Sequence, residues 1–226
     1  MTKEKTKFIQ NIYIPASFVI LIVIIKIIES ILGISFVNLG LYPRTLHGLL
    51  GIITSPLLHS NIEHLFSNVF PLLVLGVSID YFYSDSSKKV FLISYFLTGS
   101  LVWIFARESY HIGASGVAYA LFSFMFFSGI LKRDKRSITL SLLVVFLYGG
   151  LIYGIFPIKE GVSWESHLIG VIVGLFTAVF FRKKDIYKRY DWEDERLEED
   201  VRNLEVSYKK GYQADSGWNK SENSSR

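Results

Sequence analysis

The stretch FIQNIYIPASFVILIVIIKII, from Phe8 to Ile28, decides the fold class because it is long and apolar and carries Lys26 as its only charge. A helix needs about 20 such residues to cross the hydrocarbon core of a membrane, where the backbone must satisfy its own hydrogen bonds. Lys26 lies near the end of the stretch, where its long side chain can reach toward the membrane surface. The apolar run is long for a signal peptide, so we predict a retained transmembrane helix.

Five further segments have the length and apolar character of membrane spans. They cover about 64–83, 90–106, 115–131, 137–156 and 166–181. The sequence therefore predicts an all-α membrane protein, a bundle of six transmembrane helices.

Lysine and arginine are concentrated on one side of this six-helix arrangement. One side has three positions, Arg44, Arg107 and Lys159. The other side holds Lys3, Lys5, Lys7, Lys88, Lys89, Lys132, Arg133, Lys135, Arg136, Arg182, Lys183 and Lys184. Because positively charged loops stay in the cytoplasm, both termini are predicted to be cytoplasmic. This topology is that of a multi-pass protein of a prokaryotic plasma (inner) membrane.

The remaining composition sets the domain organisation and excludes several function classes. Of 226 residues, 50% are hydrophobic and 19% charged, and residues 182–226 hold half of the 44 charges. We therefore predict a membrane domain over 1–181 and a charged cytoplasmic tail over 182–226. The absence of cysteine excludes disulfides, cysteine-based metal sites and a thiol nucleophile. The basic residues punctuate apolar runs instead of forming one patch, which argues against nucleic acid as a partner.

The tail contains a short pattern typical of an amphipathic helix, followed by a polar end. The apolar residues at helix-like spacing are Trp192, Leu197, Val201, Leu204 and Tyr208. We predict a short helix there and disorder in the final KSENSSR. Two roles stay open for it: a solvated tail, or a helix that binds a partner or the membrane surface.

Polar groups inside membrane spans are costly and are candidates for function. Three clusters occur, and each lies at the outer end of a helix that runs from outside to inside. They are His59, His64 and Asn68; Gly113, Ser115 and Gly116; and His167, followed by Gly170 and Gly174. The three clusters can therefore meet at one depth near the outer face.

A hydroxyl beside an imidazole is a nucleophile with its base. Ser115 would attack a carbonyl, and His167 would take its proton and deliver it to the leaving amine. His64 and Asn68 are spaced i, i+4 on one helix face, and both can donate N–H groups to the resulting oxyanion. Gly113 and Gly116 would let the backbone and a substrate approach closely.

Each cluster also has a structural interpretation. Gly170-x-x-x-Gly174 and Gly116-x-x-x-Ala120 are small-residue faces that favour helix packing. His59 and His64 do not match the pattern of a zinc hydrolase, since such enzymes carry a glutamate between two histidines spaced i, i+4. We therefore predict no metal ion and no other cofactor.

The three motifs together resemble the rhomboid family of intramembrane serine proteases. The matching strings are His59-x4-His64-x3-Asn68, GASGVAYALF from Gly113, and SHLIGVIVG from Ser166, in the order and spacing of the family. The resemblance covers nearly all of residues 8–181. It implies a serine endopeptidase that cuts single-pass membrane proteins near the outer edge of their spanning helix.

The resemblance also implies a role for each residue at a matching position. Ser115 would be the nucleophile, His167 the general base, and His64 with Asn68 the oxyanion-stabilising pair. Tyr119 would pack on the catalytic imidazole, and His59 would be structural. One departure concerns the first outer loop, where Tyr42-Pro43-Arg44-Thr45 stands in place of the family's Trp-Arg pair. The alternative function is a catalytically silent rhomboid-like protein that binds or routes membrane clients.

Overall fold

The computed structural model describes residues 3–158, 161–187 and 199–210, with side chains from residue 12 onward. Six long helices dominate these residues. They are α1 (Lys3–Leu32), α2 (Ile62–Phe82), α3 (Ser87–Phe105), α4 (Ser115–Lys132), α5 (Lys135–Tyr148) and α6 (Trp164–Phe180). Within the described residues the fold is all helical, apart from one isolated β-bridge between Leu41 and His111.

Five helical segments of the described chain are long and apolar enough to cross a membrane. These spans are Ile12–Leu32, Ile62–Phe82, Ser87–Phe105, Ser115–Lys132 and Lys135–Ile155. The chain is thus a multi-pass integral membrane protein. The apolar helix α6 has 17 residues, which at 1.5 Å per residue gives roughly 26 Å, slightly less than the hydrocarbon thickness. The six-span count and the cytoplasmic position of both termini stay predictions.

Helix α4 lies at the centre of the bundle and is the most deeply buried of the five spans. It packs against α2, α3, α5 and α6. Hydroxyl groups join the helices across these contacts: Ser123 Oγ donates to the carbonyl of Val171 at 2.7 Å, and Ser141 Oγ to that of Phe126 at 3.0 Å. Such bonds supply association that the hydrophobic effect cannot supply between helices in lipid.

The fifth span does not keep one helical form over the predicted range 137–156. The α-helix ends at Tyr148, and Gly149–Ile155 continue as a 3₁₀ helix. The paired Gly149 and Gly150 explain the change, because glycine has low helix propensity and the α-helical bonds weaken there. This tighter segment brings its carbonyl groups toward α4 and α6.

The segment between α1 and α2 forms four short helical turns, at Val37–Leu39, His47–Leu49, Gly51–Thr54 and Ser55–Leu57. Arg44 anchors it to the end of α3. The guanidinium donates to the carbonyls of Ala106 at 2.7 Å and Ile104 at 3.3 Å, and it pairs with Glu108 at 3.3 Å. In return, Trp103 Nε1 donates to the carbonyl of Thr45 at 3.0 Å. Although the Trp-Arg pair of the family is absent from this loop, Arg44 attaches the loop to the end of α3.

The chain divides into a unit that ends at Ile186 and a second unit that begins at Tyr187. In the second unit, residues 199–210 are helical and exposed. Three of the apolar tail residues, Val201, Leu204 and Tyr208, lie on this helix, whereas Trp192, Leu197 and the KSENSSR end lie outside the described residues. The boundary at 181–182 and the role of the tail stay predictions.

Candidate active site

The structure brings Ser115 and His167 into hydrogen-bonding contact. Ser115 is the first residue of α4, and its Oγ lies 2.9 Å from His167 Nε2, near the start of α6. The imidazole is 8% exposed, and Ser115 is half-buried. The pair therefore has the distance that a nucleophile and its general base require.

Close packing of α4 on α6 brings Ser115 and His167 within hydrogen-bonding distance. A Cβ atom on Gly170 would lie 2.3 Å from the carbonyl oxygen of Gly116, and one on Gly174 would lie 2.3 Å from that of Ala120. Any side chain at either glycine would push the helices apart. The small-residue faces of the two helices lie directly against each other.

The second ring nitrogen of His167 faces a backbone carbonyl that the sequence did not indicate. His167 Nδ1 is 2.8 Å from the carbonyl oxygen of Gly154, in the 3₁₀ segment after α5. A carbonyl can only accept a hydrogen bond, so Nδ1 carries the proton and Nε2 is left to accept from Ser115. The Gly149–Gly150 pair was the one available signal, because paired glycines often mark irregular backbone.

Tyr119 holds the ring of His167 in place. The two rings are stacked, with centroids 4.2 Å apart and planes 5° from parallel. The phenol donates to the carbonyl of Leu151 at 2.7 Å, so Tyr119 also attaches α4 to the 3₁₀ segment. The imidazole is therefore fixed by a ring stack, a hydroxyl and a carbonyl.

His64 lies in the first turn of α2, beside the loop that leads to Ser115. The carboxamide of Asn61 caps this helix by accepting from the backbone N–H of His64 at 2.7 Å. His64 Nδ1 is 3.2 Å from Ser60 Oγ. Its Nε2 faces Gly113, where a Cβ atom would lie only 2.6 Å away and where the φ angle of +104° also favours glycine.

Asn68 is buried one turn further along α2, with 1% of its surface exposed. Its Nδ2 donates to the backbone carbonyl of His64 at 2.7 Å. Nδ2 also lies 3.5 Å from Ser67 Oγ, a long contact, so the second N–H of the carboxamide is the one that an oxyanion could use. The predicted oxyanion role of Asn68 stays a prediction.

His59 lies just before α2 and is 2% exposed. Its ring packs edge-on against the ring of His64, with centroids 5.0 Å apart. Burial, together with the neighbouring His64, lowers the pKa of His59 to about 4. A neutral imidazole of this kind fits a packing role better than a charged one.

A second polar network, which the sequence did not indicate, joins the loop before α4 to the start of α6. His111 Nδ1 is 2.5 Å from Ser163 Oγ, and Ser163 Oγ is 2.6 Å from Ser166 Oγ. Arg107 pairs with the buried carboxylate of Glu165 at 3.3 Å. These contacts lie beside His167 and attach the start of α6 to the loop before α4.

The side chain of Lys26, near the end of the first span, is bound by polar groups of the protein itself. Its ammonium group donates to the carbonyls of His59 at 2.8 Å and Ser60 at 3.1 Å, and to the carboxylate of Glu29 at 3.1 Å. Charged and polar groups in a membrane span pair with one another because unpaired ones are costly. Lys26 is therefore connected to the polypeptide that leads into α2.

Comparison with known proteins gives a consistent result. The Rhomboid domain matches residues 46–184. Uncharacterized proteins of Mycobacterium bovis and Mycobacterium tuberculosis are each 33% identical over 171 residues, which cover 72% of this chain and 71% of the relative. An uncharacterized protein of Mycobacterium leprae is 31% identical over 171 residues, covering 72% of this chain and 68% of the relative.

The domain match extends over more than half of the chain, and it contains His64, Ser115, Gly154 and His167. The resemblance drawn from the three motifs is thereby confirmed. Rhomboid proteins are, as a family, intramembrane serine proteases. This chain belongs to the rhomboid family.

Proposed function

We propose that this chain is an active intramembrane serine endopeptidase that uses Ser115 and His167 as a catalytic dyad. The observation that carries the proposal is the 2.9 Å contact between Ser115 Oγ and His167 Nε2, made while His167 Nδ1 is bound to a carbonyl. This arrangement leaves Nε2 unprotonated and directed at the hydroxyl. It is the state in which an imidazole can act as a general base.

In the first step, Ser115 Oγ attacks the scissile carbonyl carbon while its proton moves to His167 Nε2. The charge that develops on His167 is stabilised by the Gly154 carbonyl at Nδ1, which takes the place that an aspartate occupies in a triad. The proton then passes to the leaving amine and the C–N bond breaks. A water molecule repeats the sequence to release the acyl group and restore Ser115.

The oxyanion needs donors on the side of the substrate opposite His167. His64 is suited to this role because the Ser60 hydroxyl, 3.2 Å from Nδ1, can donate to that nitrogen and leave Nε2–H as the free donor. The backbone N–H of Ser115 is at a helix start, where it has no partner within the helix. The second N–H of Asn68 completes the set.

The substrates that fit this site are single-pass transmembrane proteins in the same lipid bilayer. Their helix must unwind locally to present a carbonyl to Ser115, so small residues at the cut and helix-breaking residues nearby are expected. The concentration of Lys and Arg at the termini and in every second loop supports six spans with both termini in the cytoplasm. In a prokaryotic plasma membrane this topology puts the dyad near the outer face, where water is available.

The test is cleavage of a single-pass substrate in proteoliposomes. The purified wild type, Ser115→Ala and His167→Ala would be compared at equal amounts of folded protein, and the cut would be located by mass spectrometry. We expect cleavage by the wild type and a loss of at least about 10⁴-fold in each variant. Cleavage that persists in Ser115→Ala would overturn the proposed dyad. A folded wild type that binds the substrate without cutting it would favour the client-binding alternative.

A further inference from the structure

A largely buried ion pair on α1 lies against the start of α2 and has no part in the dyad. Lys26 and Glu29 are spaced i, i+3, with 15% and 5% of their side chains exposed. Both residues precede residue 46, where the match to the Rhomboid domain begins. The pair therefore lies outside the matched domain, although it contacts residues inside it.

The ammonium group of Lys26 has a complete set of acceptors. Its three N–H donors meet the carbonyl of His59 at 2.8 Å, the carbonyl of Ser60 at 3.1 Å and Glu29 Oε2 at 3.1 Å. The other carboxylate oxygen, Glu29 Oε1, accepts from the backbone N–H of Phe36 at 2.7 Å. The pair thus fixes the loop at both ends of the connection between α1 and α2.

Ser60 connects this pair to the active site. Its carbonyl is bound by Lys26, and its hydroxyl is 3.2 Å from His64 Nδ1. The next residue, Asn61, is the N-cap of α2 and accepts from the N–H of His64 at 2.7 Å. A displacement of residue 60 would therefore alter the partner of the His64 ring and the start of the helix that carries it.

We propose that Lys26, neutralised by Glu29, is a positioning residue that holds Ser60 against His64 and so fixes the oxyanion donor for catalysis. The proposal rests on the proposed function, because it assigns Lys26 an effect on the oxyanion step. An ammonium in a membrane span is costly unless each donor is satisfied. Here the three contacts satisfy it while they determine the geometry of the loop.

The first test is a double-mutant cycle with the full chain in proteoliposomes. Lys26→Met would be measured in the wild-type background and in His64→Ala, with kcat and KM determined separately. We expect kcat to fall about ten- to hundredfold in the wild-type background, with KM nearly unchanged, because small displacements of a catalytic group cost this much. In the His64→Ala background, Lys26→Met should cost little more, since residues that act through one another are not additive.

Three further variants separate positioning from general stability. Lys26→Arg retains a cation and should recover most of kcat. The neutral pair Lys26→Met with Glu29→Gln avoids a buried unpaired carboxylate, and it serves if Lys26→Met alone does not fold. Ser17→Ala removes an exposed hydroxyl of α1 whose one hydrogen bond among the described residues is to the carbonyl of Ile14, so it should leave kcat unchanged. Equal losses in both backgrounds, or no gain with arginine, would overturn the proposal.

A readout that does not need activity separates this proposal from the proposed function. In ¹⁵N-histidine-labelled protein, the ring signals of His64 can be assigned by their loss in His64→Ala. We expect Lys26→Met to shift them and Ser17→Ala to leave them in place. If the wild type does not cleave any substrate, the proposed function fails, and an unshifted His64 ring in Lys26→Met would then overturn this proposal as well.

Discussion

His64 and His167 both lie near the start of a helix, and each has its Nδ1 in contact with one fixed group. For His167 the group is the carbonyl of Gly154, which can only accept, so Nδ1 is protonated and Nε2 is basic. For His64 the group is the hydroxyl of Ser60, which can donate and leave Nε2 protonated. A single neighbour can thus direct two identical side chains to opposite roles, base and donor.

The largest effect should come from disturbing the carbonyl behind His167. In Gly154→Ala, the new Cβ would lie 1.9 Å from Tyr119 Oη and 3.0 Å from His167 Nδ1, so the segment or the rings must move. We expect cleavage to fall at least about 100-fold. Gly150→Ala is the matched control, because its Cβ meets no heavy atom within 4 Å. Cleavage rates measured in liposomes would contradict the account if the two variants behaved alike.

A smaller effect is expected from removing the partner of His64. Ser60→Ala deletes the hydroxyl at Nδ1, which should let the ring rotate or change tautomer and lower kcat about tenfold, less than the loss of a whole oxyanion donor. Ser17→Ala is the control, since that exposed hydroxyl of α1 bonds to the backbone carbonyl of Ile14 and makes no contact with His64. Steady-state kinetics that give equal kcat values for both variants would contradict the assignment.

The smallest effect on cleavage concerns His59, which should act on stability. Its pKa is lowered to about 4 in the folded protein, against an ordinary 6.5, so the unfolded chain binds more protons between these values. The free energy of unfolding should therefore decrease by up to about 3 kcal/mol as pH falls from about 6.5 to 4. Above pH 6.5, the titration of His59 should not change it.

This pH effect can be measured by unfolding in detergent at pH 7.5 and pH 4.5. His59→Leu removes the titrating group, so its loss of stability on acidification should be smaller than that of the wild type. Equal losses would show that His59 is not kept neutral by burial.

The side chains of the candidate site could be predicted from the sequence because they form three spaced motifs. Ser115, His167 and His64 could be assigned from residue types that carry chemistry, whereas the role of Tyr119 came from the resemblance to the rhomboid family. The carbonyl of Gly154 could not, since every residue has a carbonyl and only the fold selects one. The change from α-helix to 3₁₀ helix at Gly149 was not predicted, although low local helix propensity explains it, and its consequence for His167 depends on packing.

The role of Lys26 shows a second limit of sequence-based prediction. A lysine near the end of an apolar run is usually interpreted as reaching toward water. Here it meets carbonyls 33 and 34 residues further along the chain, a contact that no local pattern indicates. The topology of six long helices, in contrast, follows almost entirely from the lengths of the apolar runs, with α6 at the short limit.

The most direct test of the central claim is covalent labelling with a fluorescent fluorophosphonate, because such probes react with an activated serine without needing the natural substrate. We predict that the wild type is labelled and that peptide mass spectrometry finds the adduct on Ser115. Labelling should be lost in Ser115→Ala and His167→Ala and greatly reduced in Gly154→Ala. Absence of labelling in folded wild type, or an adduct on another serine, would contradict the account.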